Sequence, residues 1–114
     1  MKEDRLQYLL CEWMRNNNIM HFHVPNGGKR DKREASRFVA LGVKKGVHDL
    51  IVLLDGGITI FIELKTGKNK LQPAQVKFDE WLKKAGHRSH LIHADDFQSG
   101  LDQLQSILRL NGWQ

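Results

Sequence analysis

Two apolar runs rich in isoleucine, valine and leucine, Leu50 to Leu54 and Ile58 to Leu64, are separated only by Asp55-Gly56-Gly57. Short β-prone runs joined by glycines, which accept positive φ, predict a β-hairpin. A hairpin decides which side chains share a face, so it constrains this chain more than any bulk property. If Gly56-Gly57 were a two-residue turn, Asp55 would pair with Ile58 and Asp49 would oppose Leu64. A three-residue loop instead pairs Leu54 with Ile58 and Asp49 with Glu63, and that is the expected register.

The flanking sequence supplies the other layers. Leu6, Leu9, Leu10, Trp13 and Met14 recur at helical spacing and predict a first helix. Met20, Phe22 and Val24 alternate with His21 and His23 up to Pro25-Asn26-Gly27-Gly28, which predicts a half-buried strand ended by a turn. Residues 26 to 46 are too long for a plain connector, and Ala35, Phe38 and Val39 hint at a short helix inside it. Pro73 suits the first turn of another helix, whose apolar set is Ala74, Phe78, Trp81, Leu82 and Ala85 before Gly86. Leu91 and Ile92 mark a fourth strand, and Asp95 or Asp96 caps a last helix bearing Phe97, Leu101, Leu104 and Leu108. The order α-β-β-β-α-β-α, without repeat or linker, predicts an α/β fold (α+β with a mixed sheet) in a single domain over residues 1 to 114.

With 114 residues and 40% hydrophobic content the chain supports one real core. No apolar run approaches the roughly 20 residues that span a bilayer. The N-terminus has no secretory apolar region, so a cytoplasmic location without a membrane partner is expected. A lone cysteine, Cys11, excludes an intramolecular disulfide and a cysteine-based zinc site. The net charge of +5 is concentrated between Gly28 and Lys45, where Lys29, Arg30, Lys32, Arg33, Arg37, Lys44 and Lys45 face only Asp31 and Glu34. The remaining sequence is balanced. Such a concentration is expected where phosphates are neutralised, and the alternative is a solvated basic loop.

Chemistry gathers on the hairpin. Alternation places Glu63, Lys65 and Phe61 on one face and Ile60, Ile62 and Leu64 on the other. In the expected register Asp49 joins Glu63, with Cβ atoms roughly 5 Å apart. Two facing carboxylates repel unless a cation lies between them, and oxygen ligands favour a hard ion such as Mg²⁺ or Mn²⁺. Such an ion polarises a phosphodiester and lowers the pKa of a bound water, while Lys65 orients that water or stabilises phosphate charge. Otherwise Glu63 and Lys65 are the polar end of a strand and Asp49 a turn residue.

Asp49 followed by Glu63-Leu64-Lys65 resembles the motif of the PD-(D/E)XK, or restriction-endonuclease-like, superfamily. More narrowly, Gly46-Val47-His48-Asp49, the Glu-x-Lys strand and Leu71-Gln72-Pro73-Ala74-Gln75 opening a helix resemble the VRR-NUC (virus-type replication-repair nuclease) family, with Glu3 on an N-terminal helix and an Asn26-Gly27 element. His48 stands where that family has proline. The resemblance implies an αβββαβ core with an extra C-terminal helix. It implies a DNA nuclease in which Asp49, Glu63 and the Leu64 carbonyl hold the catalytic ion, Lys65 assists the attacking water and Gln75, the helix glutamine, joins Asp49, Glu63 and Lys65 as a catalytic residue. Gln75 otherwise caps its helix. Glu3 lies on the inward seam of its helix, either supporting the metal site or favourably placed at a helix N-terminus.

His21 and His23 share a strand face, but without cysteine or an HExxH pattern they read as a polar face and not as a zinc site. Trp13 and Trp81 sit in helical apolar stripes and are expected in the core. The expected function is metal-dependent DNA endonuclease action on branched DNA, or nicking of duplexes, with low sequence specificity. Asn26, Lys29, Arg30, Lys32, Arg33, Arg37, Lys44 and Lys45 would contact DNA, mostly at phosphates. The alternative is a binding module that grips nucleic acid through residues 28 to 45 without cutting. Two copies suit structured DNA, so a homodimer is expected.

Overall fold

The hairpin forms in the expected register. In the computed structural model, which describes residues 1–25 and 31–114, β2 (Leu50–Leu54) and β3 (Ile58–Lys65) run antiparallel with Leu54 opposite Ile58 and Leu50 opposite Ile62. Gly56 and Gly57 make the turn at φ +85° and +75°, a region that favours glycine. β1 (Met20–His23) pairs antiparallel with β2, and β4 (Arg88–His93) pairs parallel with β3, giving the sheet order β1-β2-β3-β4. A parallel partner needs a crossover, which helix α3 (Pro73–Lys84) supplies between β3 and β4.

Helices α1 (Glu3–Asn16) and α4 (Phe97–Leu110) pack together under one face of the sheet. Their stripes, Leu6, Leu10 and Met14 against Leu104, Ile107 and Leu108, close over Leu50, Val52, Ile60, Ile62, Leu64 and Ile92. Each fully buried aliphatic side chain contributes about 1.5–3 kcal/mol, so this side carries most of the fold's stability. Trp113 closes the core edge-on against Trp13, with ring centroids 5.7 Å apart. Asp96 caps α4 by accepting from the Ser99 amide, whereas Asp95 accepts from Gly67.

The other face is covered differently. α3 packs on β4 and reaches β3 through Phe78 against Phe61, and leaves β1 and the end of β2 open. Met20 and Phe22 are therefore 65% and 49% exposed, and the expected half-buried side of β1 faces outward. Trp81, expected in the core, is 58% exposed, because α3 packs inward chiefly through Leu82, with Phe78 half-buried beside it. The long basic connection does contain a helix, α2 (Lys32–Ala40), capped by Asp31 accepting from the Glu34 amide. It has no buried residue and stands apart from the other described elements, so the order becomes α-β-α-β-β-α-β-α. Among the described residues no helix is long and apolar enough to cross a membrane.

Candidate functional site

The approach to the site is set by Gly46. Its φ is +86°, and a Cβ there would lie 2.3 Å from the Ala74 carbonyl oxygen, so only glycine lets the segment before β2 lie on the start of α3. Two residues on, His48 is carried beneath the α3 face of the sheet, and Asp49 reaches the end of β2. The Asp49 carbonyl is held twice, by the Val24 amide at 2.9 Å and by His23 Nδ1–H at 2.8 Å. Continuing the β2–β3 register by one residue sets Asp49 opposite Glu63. Its carboxylate Oδ2 accepts from the Leu64 amide at 2.8 Å, which fixes the side chain beside β3.

Glu63 is 2% exposed and its Oε2 has no hydrogen-bond partner among the described residues. Burial pushes its carboxyl pKa up to about 9, reinforced by a hydrogen bond with Asp49 and by the Asp49 charge. Lys65, buried on the same face, pulls the other way but does not compensate, and Glu3 adds a further negative charge. Glu63 therefore keeps its proton at neutral pH, and both carboxyls ionise together only where a further positive charge is supplied.

Behind the pair lies a buried polar chain. His48, 1% exposed, places Nε2 2.7 Å from Ser89 Oγ and 3.1 Å from Asp79 Oδ1. The Ser89 hydroxyl donates to Asp79 Oδ1, which leaves its oxygen free to accept from His48 Nε2–H. Lys83 completes the chain by donating to Asp79 Oδ2 at 2.7 Å. Burial holds the imidazole pKa below its usual range despite the hydrogen bond and charge of Asp79. Asp79 is also partly desolvated, but hydrogen bonds from Lys83, Ser89 and His48 outweigh this and keep its carboxyl low. The neutral ring then turns Nδ1, which has no hydrogen-bond partner among the described residues, toward Glu63 Oε2 at 3.9 Å. Phe61 and Phe78 pack edge-on around His48, with centroids 6.3 Å and 5.7 Å from the ring.

In front of the pair opens a cavity of about 650 Å³, lined by Asp49, Leu64, Glu3, Gln75, Lys45 and His23 among others. Glu63 and Lys65 lie behind its wall. Gln75 reaches the rim, yet its Oε1 accepts from the Gln72 amide at 2.7 Å in a capping box, so it presently closes the helix as well as lining the cavity. Glu3 is at the rim too, accepting from Asn69 Nδ2 at 2.6 Å. Of the basic residues, Lys45 borders the cavity, Lys44 lies next to it, and Lys32, Arg33 and Arg37 ride on α2. Asn26, Lys29 and Arg30 lie outside the described residues.

The donor set suits a hard divalent cation. Two adjoining carboxyls, an unpartnered buried oxygen and the residue Leu64 on the cavity wall are what Mg²⁺ or Mn²⁺ uses, completing its shell with water. Among the described residues no group of three or more His, Cys, Asp and Glu could hold an ion. The sequence reading did not single out Asp79, Ser89 or the contact of His23 with Asp49. Asp79 did leave a signal, since three residues before Leu82 it falls on the inward side of α3, where a polar group needs a partner.

No family model and no curated protein matches the sequence. Solved structures do match. One titled "VRR_NUC domain protein" is 24% identical, with a TM-score of 0.76 over 100% of this chain and 93% of that one. Another, titled "VRR_NUC domain", is 20% identical, with a TM-score of 0.62 over 90% of this chain and 94% of that one. The chain has the VRR-NUC, restriction-endonuclease-like fold along its whole length.

Proposed function

We propose that this domain is a metal-dependent DNA endonuclease, and the observation that carries the reading is the pair of facing carboxyls, Asp49 and Glu63, the second buried with an oxygen that has no partner among the described residues, beside an open cavity. Asp49, Glu63 and the Leu64 carbonyl would hold Mg²⁺ or Mn²⁺, which supplies charge neutralisation at the phosphate and a lowered pKa for water. Lys65 contributes a positive charge beside Glu63 and positions the attacking water. Glu3 and Gln75 border the cavity and hold the approach to it, with Gln75 released from its capping role when substrate is bound. Lys44 and Lys45 neutralise phosphates near the site, and Lys32, Arg33 and Arg37 extend that surface along α2; Asn26, Lys29 and Arg30, which lie outside the described residues, are assigned to DNA contact from the sequence alone. With contacts mainly to phosphates, the substrate is duplex or branched DNA in the cytoplasm, cut or nicked with little sequence preference.

The domain also leaves apolar surface uncovered, at Val39 and Leu41 on and after α2 and at Met20, Phe22 and Leu53 on the sheet. A second copy covering part of it would give the homodimer that two-strand cutting calls for. Light scattering showing only a 13.2 kDa species at micromolar concentration would rule this out.

The test of the enzyme is cleavage of supercoiled plasmid and of a synthetic four-way junction with Mg²⁺, Mn²⁺ or EDTA. Metal-dependent cutting that Lys65→Ala abolishes is the expected result. DNA binding without cutting under every condition would replace this reading with a binding module.

A further inference from the structure

Beside the carboxylate cavity runs a second groove, of about 680 Å³, lined by Lys44, Lys45, Ala74, Lys77, Phe78 and Trp81. Lys45 and Ala74 also border the first cavity, so the two adjoin at the start of α3. Trp81 is the largest side chain here and is 58% exposed, an unusual place for an indole whose burial would be worth much to the fold. One face of the ring is stacked on His87, with centroids 5.6 Å apart and planes 23° from parallel. That stack occupies one face of the indole, and Trp81 still lines the groove with much of its surface exposed. The rest of the lining pairs an apolar floor, Ala74 and Phe78, with a rim of lysine ammonium groups.

We propose that this groove binds an unpaired nucleotide of the DNA being cut, its base stacked on Trp81 and its flanking phosphates on the lysines. The inference rests on the nuclease reading and adds a preference for substrates with single-stranded segments. Bases in an intact duplex have both faces covered, so only an unpaired nucleotide can offer a ring to an exposed indole. Three lysines around an aromatic floor complement one phosphate-linked base, and the volume is that of an ordinary small-ligand site. A second copy of this chain fits worse. A twofold contact on this surface would set lysines against lysines.

The test is binding in EDTA, where no cutting occurs, of a fluorescein-labelled oligothymidylate of roughly ten nucleotides and of a blunt duplex. Oligothymidylate should quench tryptophan emission in the wild type. Trp81→Ala should weaken its binding roughly 5- to 100-fold, Trp81→Phe should keep most of the affinity, and blunt-duplex binding should be unchanged in both. Unaltered oligothymidylate affinity in Trp81→Ala overturns the proposal, and so does an equal loss in Trp81→Phe. Conversion of a dimer to a monomer with nucleic-acid affinity intact would overturn it in favour of a second copy. The readout is separate from catalysis. A Trp81-dependent loss stands even if the wild type cuts nothing with Mg²⁺, whereas cutting with no Trp81 effect removes the groove alone.

Discussion

Strand β3 presents two opposite solutions on its two faces. Ile60, Ile62 and Leu64 point into a dry aliphatic core under α1 and α4, while Glu63 and Lys65, one residue out of phase, point into a polar pocket backed by His48, Asp79 and Ser89. Both sets are nearly as buried. The first gains stability from burial, whereas the second gives stability up, since a carboxyl removed from water beside another carboxyl is unfavourable. One strand therefore holds the fold together with alternate residues and strains it with the rest.

The sharpest break of that comparison is Glu63→Gln. It should lower metal-dependent cleavage on the order of 10²–10³-fold while leaving the metal-free domain at least as stable as the wild type. Its pH profile sharpens the point. Unfolded Glu63 releases its proton near 4.5 and folded Glu63 near 9, so between these the folded state binds more protons and stability falls as pH rises. In EDTA the melting temperature should decline from neutral pH toward 9, and Glu63→Gln should flatten the decline. An equal slope in both proteins would refute the buried-carboxyl account. His48 acts at the other end, since its lowered pKa makes its contribution one that is lost as pH falls through that lowered value.

On the opposite face Ile62→Ala should cost about 2–5 kcal/mol in urea unfolding, with the remaining folded protein as active as the wild type. Gly46→Ala should cost roughly 2–4 kcal/mol, from a left-handed backbone and a clash with Ala74, and should also reduce cleavage by moving His48 and Asp49. Smallest is the double change Arg33→Ala and Arg37→Ala. Stability should stay within about 0.5 kcal/mol, and the salt slope of DNA binding should fall by about 1 for each arginine that meets a phosphate.

What was legible in the sequence follows the same division. Asp55-Gly56-Gly57 and the apolar runs beside it carry the hairpin register locally, so the meeting of Asp49 with Glu63 follows once the turn is taken as three residues and not two. Leu6, Leu10 and Met14 announced their burial by spacing, as did Leu104 and Leu108. The misreadings share one cause. Whether Trp81 or Phe22 is covered depends on where α3 crosses the sheet, and helical or strand spacing says only which side chains share a face, not how far a neighbour extends over it. The polar chain behind Glu63 was hidden because His48 meets Asp79 and Ser89 from 31 and 41 residues away. Gln75 was read as a site residue or otherwise a cap; its side chain caps α3 and borders the cavity.

Helix α2 sits between β1 and β2 without leaning on either, its own cap at one end and Gly46 anchoring the chain beyond the other. An element so weakly coupled to the core is free to drift. Its sequence, length or charge can change without retuning the packing that keeps Asp49 and Glu63 together, so the basic face proposed to meet phosphates can be altered independently of the carboxyl pair.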